Sequence, residues 1–372
     1  MTRTIKLFVI ITLTMAACMT SAELNAKQDD ARAFEVNKHF GRGINIGNAL
    51  DAPREGEWGV TIKEEYFKII KDAGFDSVRL PCRWSNHALK EAPYTIDEAF
   101  FKRVDWAVNN ALKNNLYVML NMHHYVELYK DPLPEKERFM ALWTQIAEHY
   151  KDYPDTLTLE IFNEPDDAFT PELWNEWLKE AHAIIRKANP TKTIVIGPAN
   201  DNWTTFLKLL ELPEDDRNII VTVHYYFPHD FTHQGAEWMT HEKLMQNLVD
   251  KKRVGQPLPA WASDDWEGDS NTFLGTKWMG TDEEKKYMTD IFDIGVAWGK
   301  KHNRPLNLGE FGVYEKADVA SRVRWTTFIV ETAVERGMSF HYWEFCANFG
   351  AYDPYKKAWR EPLLNALIPP KK

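Results

Sequence analysis

Two glutamates are the clearest chemical signal in the chain. Glu164 lies in Ile161-Phe162-Asn163-Glu164-Pro165, and Glu310 lies in Leu308-Gly309-Glu310-Phe311-Gly312. Two carboxylates converging on one bond can divide the work, one as acid and base, the other as nucleophile. At a glycosidic bond a carboxyl separation of about 5–5.5 Å goes with retention of configuration, and about 6.5–9.5 Å with inversion. Other polar residues stand at the ends of similar apolar runs: Asn45 and Asn48 with Asp51 beyond, then Arg79, His123 with His124, Asn163, His224 with Tyr226, and Trp343 with Glu344. Each alone has a plain structural explanation, Arg79 as an ion pair, His124 as a hydrogen-bonded rim residue. Folding alone gives no reason to assemble all of them.

These ends need elements that bring them to one face. Short apolar, β-branched runs predict strands at 43–47, 77–80, 116–122, 157–162, 193–197, 219–224, 306–309 and 339–343. Three- and four-residue apolar spacing predicts helices at 62–73, 96–114, 136–150, 171–188, 282–302 and 318–336, with shorter ones at 203–210 and 363–367. Thr170 is a candidate cap, with Pro171 at the first helical position. Eight strands alternating with helices is the pattern of an α/β fold, a single (β/α)8 TIM barrel, whose strand C-termini share one face. An open doubly wound sheet is the competing architecture. No GxGxxG follows a strand, and the polar strand ends are spread along the chain rather than gathered at one crevice. The fifth run ends in Gly197-Pro198, which offers no chemistry. The longest break in the rhythm, 238–280, is an extended loop after the sixth strand. Its acidic stretch fails as an EF-hand, because Ser270 and Thr276 stand where Gly and Glu are required.

Residues 1–22 are expected to be a secretory signal: Arg3 and Lys6, an apolar stretch, then the small residues Ser21 and Ala22. The apolar run is shorter than the roughly 20 residues needed to span a bilayer. Met15-Ala16-Ala17-Cys18 also resembles a lipobox, so membrane attachment is expected only if Cys18 is lipidated. The protein is then secreted or periplasmic, or an outer-membrane lipoprotein. Residues 23–40 form a lead-in and 41–372 the barrel. The remaining cysteines, Cys82 and Cys346, are free or paired. The 372 residues carry a net charge of −10 without basic runs, which argues against a nucleic-acid partner. Fifteen tryptophans point toward ring stacking. Trp84, Trp106, Trp143 and Trp298 are equally well explained as core.

The strand-four signature Ile161–Pro165 resembles that of glycoside hydrolase family 5. Val78-Arg79-Leu80-Pro81, Asn121-Met122-His123-His124, Val223-His224-Tyr225-Tyr226, Gly309-Glu310-Phe311-Gly312 and Tyr342-Trp343-Glu344-Phe345 match its other stations in order. The opening Gly41–Asn48 and the stretch Phe231–Trp238 look closest to bacterial endoglucanases of the family, some of which also cleave mannan. The resemblance implies Glu164 as acid/base and Glu310 as nucleophile. It implies Asn163 at the sugar 2-hydroxyl, His123 and His124 lining that subsite, His224 positioning the acid/base, and Trp343 as stacking floor. Arg79 and Tyr226 would hold Glu310 ionised. Asn48, Asp51, His233 and Trp238 would bind neighbouring sugars, although close relatives carry Glu where Asp51 stands. The long loop also looks expanded, with Trp261 and Trp266 either extending the cleft or sitting in a surface insertion.

Two rival readings remain for comparison. A metal-dependent barrel hydrolase would explain the histidines, but adjacent His123 and His124 point to opposite faces of a strand. A catalytically dead sugar-binding protein would have no need of both carboxylates. The expectation is a monomeric, cofactor-free, metal-free retaining endo-β-1,4-glucanase acting on β-glucan, with mannan as the alternative polysaccharide.

Overall fold

The structure, a computed structural model, describes residues 21–246, 263 and 266–370, the first ten of these by backbone alone. The expected signal segment up to residue 20, including Cys18, lies outside the described residues, as does Trp261. Among the described residues no helix is long and apolar enough to cross a membrane.

Eight parallel strands close into a barrel: β1 Arg42–Asn45, β2 Ser77–Cys82, β3 Tyr117–Met122, β4 Leu157–Glu160, β5 Ile194–Ile196, β6 Ile219–His224, β7 Leu306–Glu310 and β8 Ser339–Tyr342. β1 pairs with both β2 and β8, which completes the ring. Asn45, Arg79, His224 and Glu310 stand on the strands themselves, while Asn48, His123, Asn163 and Trp343 follow just beyond the ladder. The main helices are Glu64–Asp72, Glu98–Lys113, Lys136–His149, Pro171–Ala188, Asp282–His302 and Val319–Glu335. Thr170 caps its helix by accepting the Leu173 N–H. Apolar faces of the helices pack on the outside of the strands, burying Trp84, Trp143, Trp174, Trp177 and Trp325.

The expected lead-in is a helix, Ser21–Phe40. Its Ala33, Val36 and Phe40 pack against Met119, Val195 and Ile220, which project into the barrel. Asn37 ties it to the barrel by donating to the Leu306 carbonyl at 3.1 Å and accepting from Ser339 at 2.7 Å. The helix closes the barrel floor, at the end opposite the loops. Cys82 and Cys346 are buried free thiols. Where β6 meets β7 the register shifts, setting His224 opposite Glu310. Such a bulge re-aims a side chain.

Candidate active site

Buried charge at the barrel centre organises the site. Arg79 of β2 is wholly buried. Its Nε and Nη2 donate to the Glu160 carboxylate at 2.7 and 2.8 Å, and its Nη1 donates to Glu310 Oε1 at 2.5 Å. Nη1 also reaches Asn45 Oδ1 at 2.9 Å, and Nη2 reaches Asn163 Oδ1 at 2.7 Å. One guanidinium thus binds the ends of β1, β2, β4 and β7. Glu160 went unnoticed in the sequence. A Glu inside the apolar run Leu157–Phe162 was the available signal, since a buried carboxylate needs a partner.

Above this base lies a cleft of about 780 Å³. Glu164 and Glu310 line it with Asn48, His123, His124, His224, Tyr226, His233, Trp238 and Trp343. An oxygen of Glu164, one of Glu310 and a ring nitrogen of His224 lie within 4.8 Å of one another. Glu310 Oε2 accepts from the Tyr226 hydroxyl at 2.9 Å. Glu164 Oε1 meets His224 Nδ1 at 2.6 Å, and Asn202 Nδ2 lies 3.3 Å from His224 Nε2. With the Asn202 amide donating to Nε2, the ring proton sits on Nδ1 and is given to Glu164.

Burial raises both carboxyl pKa values, by different amounts. Glu164 is pushed up to about 8 by burial and the nearby Asp201, against Lys243, Arg79 and an Asn163 hydrogen bond. Glu310 is raised only to about 6, because the Arg79 guanidinium in contact with it opposes the effect of burial. Near neutral pH the first holds a proton and the second does not. Burial also lowers His224 to about 4, so its imidazole is neutral there.

Backbone conformation aims these groups. Asn48, His124 and Glu164 have φ of 60°, 50° and 48°, a left-handed region that costs non-glycine residues energy and is concentrated at functional sites. The Trp343 ring lies parallel to His123 at 5.6 Å. A Cβ on Gly47 would come within 2.7 Å of that indole, so a residue without a side chain is needed there. The Trp343–Glu344 peptide is cis.

One expected sugar contact, Asp51, falls elsewhere. Asp51 is fully buried, and its carboxylate accepts the backbone N–H groups of Asn48 and Ala49 at 3.0 and 2.7 Å. It holds the turn that presents Asn48 and does not reach the cleft itself; the shorter side chain is spent on its own loop. Asn163, 1% exposed, lies beneath the cleft, between Arg79 and Glu164. Arg79 is likewise under the floor. Glu344 turns away and accepts the N–H groups of Cys346, Ala347 and Phe349.

Several cleft residues had not been picked out: Trp58, Asp201, Trp203, Glu237, Tyr314 and Lys243. They lie in loops, where no strand-end rule points to them. In the long loop, Trp266 stacks on His241 and Phe273 at 5.6 and 5.5 Å. It packs on an apolar cluster of Met239, Leu244, Phe273, Tyr314 and Phe349 that runs from the loop to the cleft, which Trp238, Met239 and Lys243 line.

Among the described residues, two groups of side chains have the residue types of a metal site, Asp51 with His123 and His124, and Glu164 with His224 and Glu310. The carboxylates of Asp51 are engaged by backbone N–H groups, and those of Glu310 by Arg79 and Tyr226. Arg79 against Glu310 already supplies the positive charge a cation would bring.

Comparison with known proteins agrees with this geometry. Thermotoga maritima Cel5A in complex with mannotriose is 48% identical, superposes with a TM-score of 0.81, and covers 90% of this chain and 100% of its own. The same enzyme with cellobiose matches equally, at 48% identity and a TM-score of 0.81 over 90% and 100% of the chains. Endoglucanase H of Acetivibrio thermocellus is 34% identical over 343 residues, 91% of this chain. The chain spans only about a third of that relative's length (34%), and 37% of the cellulase/esterase CelE of the same organism. Residues 30–349 match the family model for cellulase, glycosyl hydrolase family 5. With the barrel, both carboxylates and the profile match spanning most of the chain, the protein belongs to glycosyl hydrolase family 5.

Proposed function

We propose that the protein is a retaining endo-β-1,4-glucanase that hydrolyses internal bonds of β-glucans. The observation that carries this is the Glu164–Glu310 pair, with oxygens within 4.8 Å and unequal proton affinities. Oxygens this close fit the short carboxyl separation of a double displacement better than the about 6.5–9.5 Å of an inverting pair.

In the first step a Glu310 oxygen attacks the anomeric carbon from below the ring. The glycosidic C–O bond breaks, and Glu164 gives its proton to the departing oxygen. Arg79 and Tyr226 keep Glu310 ionised and oriented before attack. Formation of the glycosyl ester removes the charge on Glu310, and Glu164, now a carboxylate, can accept a proton from water. The water oxygen bonds to the anomeric carbon, the ester breaks, and Glu310 returns as the leaving group. Two inversions give net retention. Asn163, held by Arg79 beside Glu164 just beneath the cleft surface, is the residue we assign to the 2-hydroxyl of the sugar. Trp343 gives that sugar a flat apolar floor, and Trp58 and the exposed Trp238 offer rings toward the rims.

Proton NMR of the first product tests the mechanism: a β-anomer is expected, and an initial α-anomer would refute it. A second substrate class, β-mannan, is favoured by the likeness to a structure with mannotriose. Reducing-sugar release on barley β-glucan, carboxymethyl cellulose, glucomannan and mannan ranks the two. We further propose a monomer exported through the segment ahead of residue 23, since a polymer must be cut outside the cell. Radiolabelled palmitate incorporation, lost in Cys18→Ser, separates a lipoprotein from a freely secreted enzyme.

A further inference from the structure

The loop after β5 is built against the acid/base residue. Asn200, Asp201 and Asn202 have φ of 60°, 53° and 54°, three successive left-handed residues without a glycine. The Asn200 N–H donates to the Pro165 carbonyl at 2.6 Å, and the Asn202 carbonyl accepts the His224 N–H at 3.0 Å. The loop is thereby clamped between the chain that carries Glu164 and the strand that carries His224. Asp201, at its centre, lines the cleft with Glu164. From the loop after β6 comes Lys243, the one Lys or Arg among the described residues lining the cleft.

We propose that Asp201 and Lys243 are opposed positioning residues whose charges set the pH at which Glu164 gives up its proton. The proposal rests on the reading of Glu164 as acid/base. The groups that bear on Glu164 come from every neighbouring element: Arg79 from β2, Tyr129 after β3, Asp166 and Asp167 after β4, His224 and Tyr226 from β6 and its end, and Glu310 from β7. Arg79 and Glu310 neutralise each other in contact, and Tyr129 and Tyr226 are held far above their usual range by burial. Asp166 and Asp201 form a hydrogen-bonded buried pair, both raised by burial, in which one proton is shared and one negative charge stays beside Glu164. That leaves Asp201, which shares this charge, and Lys243 as opposite charges lining the cleft with Glu164. Among charged neighbours Asp201 raises Glu164 most and Lys243 lowers it most. Lys243 is itself pushed up, first by Asp201. Lys243 is open to solvent, which weakens its field relative to that of Asp201.

The test is the alkaline limb of kcat/KM on an aryl β-cellobioside with a poorly acidic phenol, which needs proton donation. In Asp201→Asn the limb is expected to move toward acid by about one unit, a roughly tenfold loss at alkaline pH relative to the acidic plateau. In Lys243→Met it is expected to move toward alkali by up to about one unit. Limbs that stay in place, or move in the same direction, would overturn the proposal. Should Asp201→Asn fail to fold, Lys243→Met at its exposed position decides alone: an unmoved or acid-shifted limb overturns it. Glu164→Gln on a dinitrophenyl β-cellobioside separates the underlying reading. Loss of the alkaline limb supports Glu164 as its source; persistence removes Glu164 from the acid/base role, whatever the other variants do.

Discussion

Arg79 holds Glu310 at 2.5 Å with both side chains almost entirely out of solvent. The proposed nucleophile is thus anchored to a cation that is itself fixed by Glu160 on the neighbouring side. A pair so placed is costly to break from one end, because the remaining charge stays buried. Arg79→Met is expected to destabilise the fold by about 3–5 kcal/mol in urea unfolding. Arg79→Lys keeps the charge but cannot form the fork to Glu160. It should retain more stability and show an acid limb shifted upward, since Glu310 loses a close cationic contact. An unshifted limb in Arg79→Lys would mean that Arg79 does not hold the nucleophile ionised.

Activity against pH should be bell-shaped. The acid limb follows protonation of Glu310, raised to about 6, and the alkaline limb follows deprotonation of Glu164, raised to about 8. Protonated Glu310 cannot attack and ionised Glu164 cannot donate, so kcat/KM should peak between the two. A maximum below about pH 5 would contradict the environments of both carboxyls.

The same burial has a stability signature. An acid whose folded value is raised must take up a proton on folding, so it works against the fold as pH climbs from the ordinary 4.5 to about 8, and by a constant amount above. Glu164→Gln should therefore melt near the wild-type temperature at pH 4 and above it at pH 8. Equal melting differences at both pH values would argue against the raised value.

Gly197 makes room for Asn202. A Cβ there would come within 2.5 Å of the Asn202 side chain, whose amide meets His224. Gly197→Ala should displace Asn202 and loosen the His224–Glu164 bond, lowering kcat by about tenfold to a hundredfold with a smaller change in KM. Full activity in Gly197→Ala would show that Asn202 does not govern His224.

Phe40 offers a control remote from the cleft. It is fully buried where the N-terminal helix meets the barrel floor. Phe40→Ala is expected to cost about 3–5 kcal/mol in stability while leaving the pH profile of kcat/KM in place.

The barrel was legible because its signals are local. The strands are short, mostly β-branched runs, and all but the fifth end in a residue whose polarity the run does not explain. Helix ends were legible where chemistry marks them, as at Thr170 and Pro171. Residues that act through a fold-dependent contact were not. Asp51 looks like a rim residue in sequence, but its carboxylate is spent on two N–H groups of its own turn. Gly197 looked uninformative because its role is the space it leaves for a residue five positions on. Glu160, Asp201 and Lys243 depend on partners from other strands and loops, and no spacing along the chain records those. The N-terminal helix was missed for a related reason: its apolar residues face the inside of a barrel rather than a neighbouring helix.

That helix also fixes which way the enzyme faces. It underlies the barrel floor, and the cleft opens at the far end. A resin, particle or carrier protein joined ahead of Ser21 would sit behind the catalyst, leaving the mouth turned outward to meet a long chain or an insoluble fibre. Coupling through the side that carries Trp58 or Trp238 would put the same support across the path of the polymer.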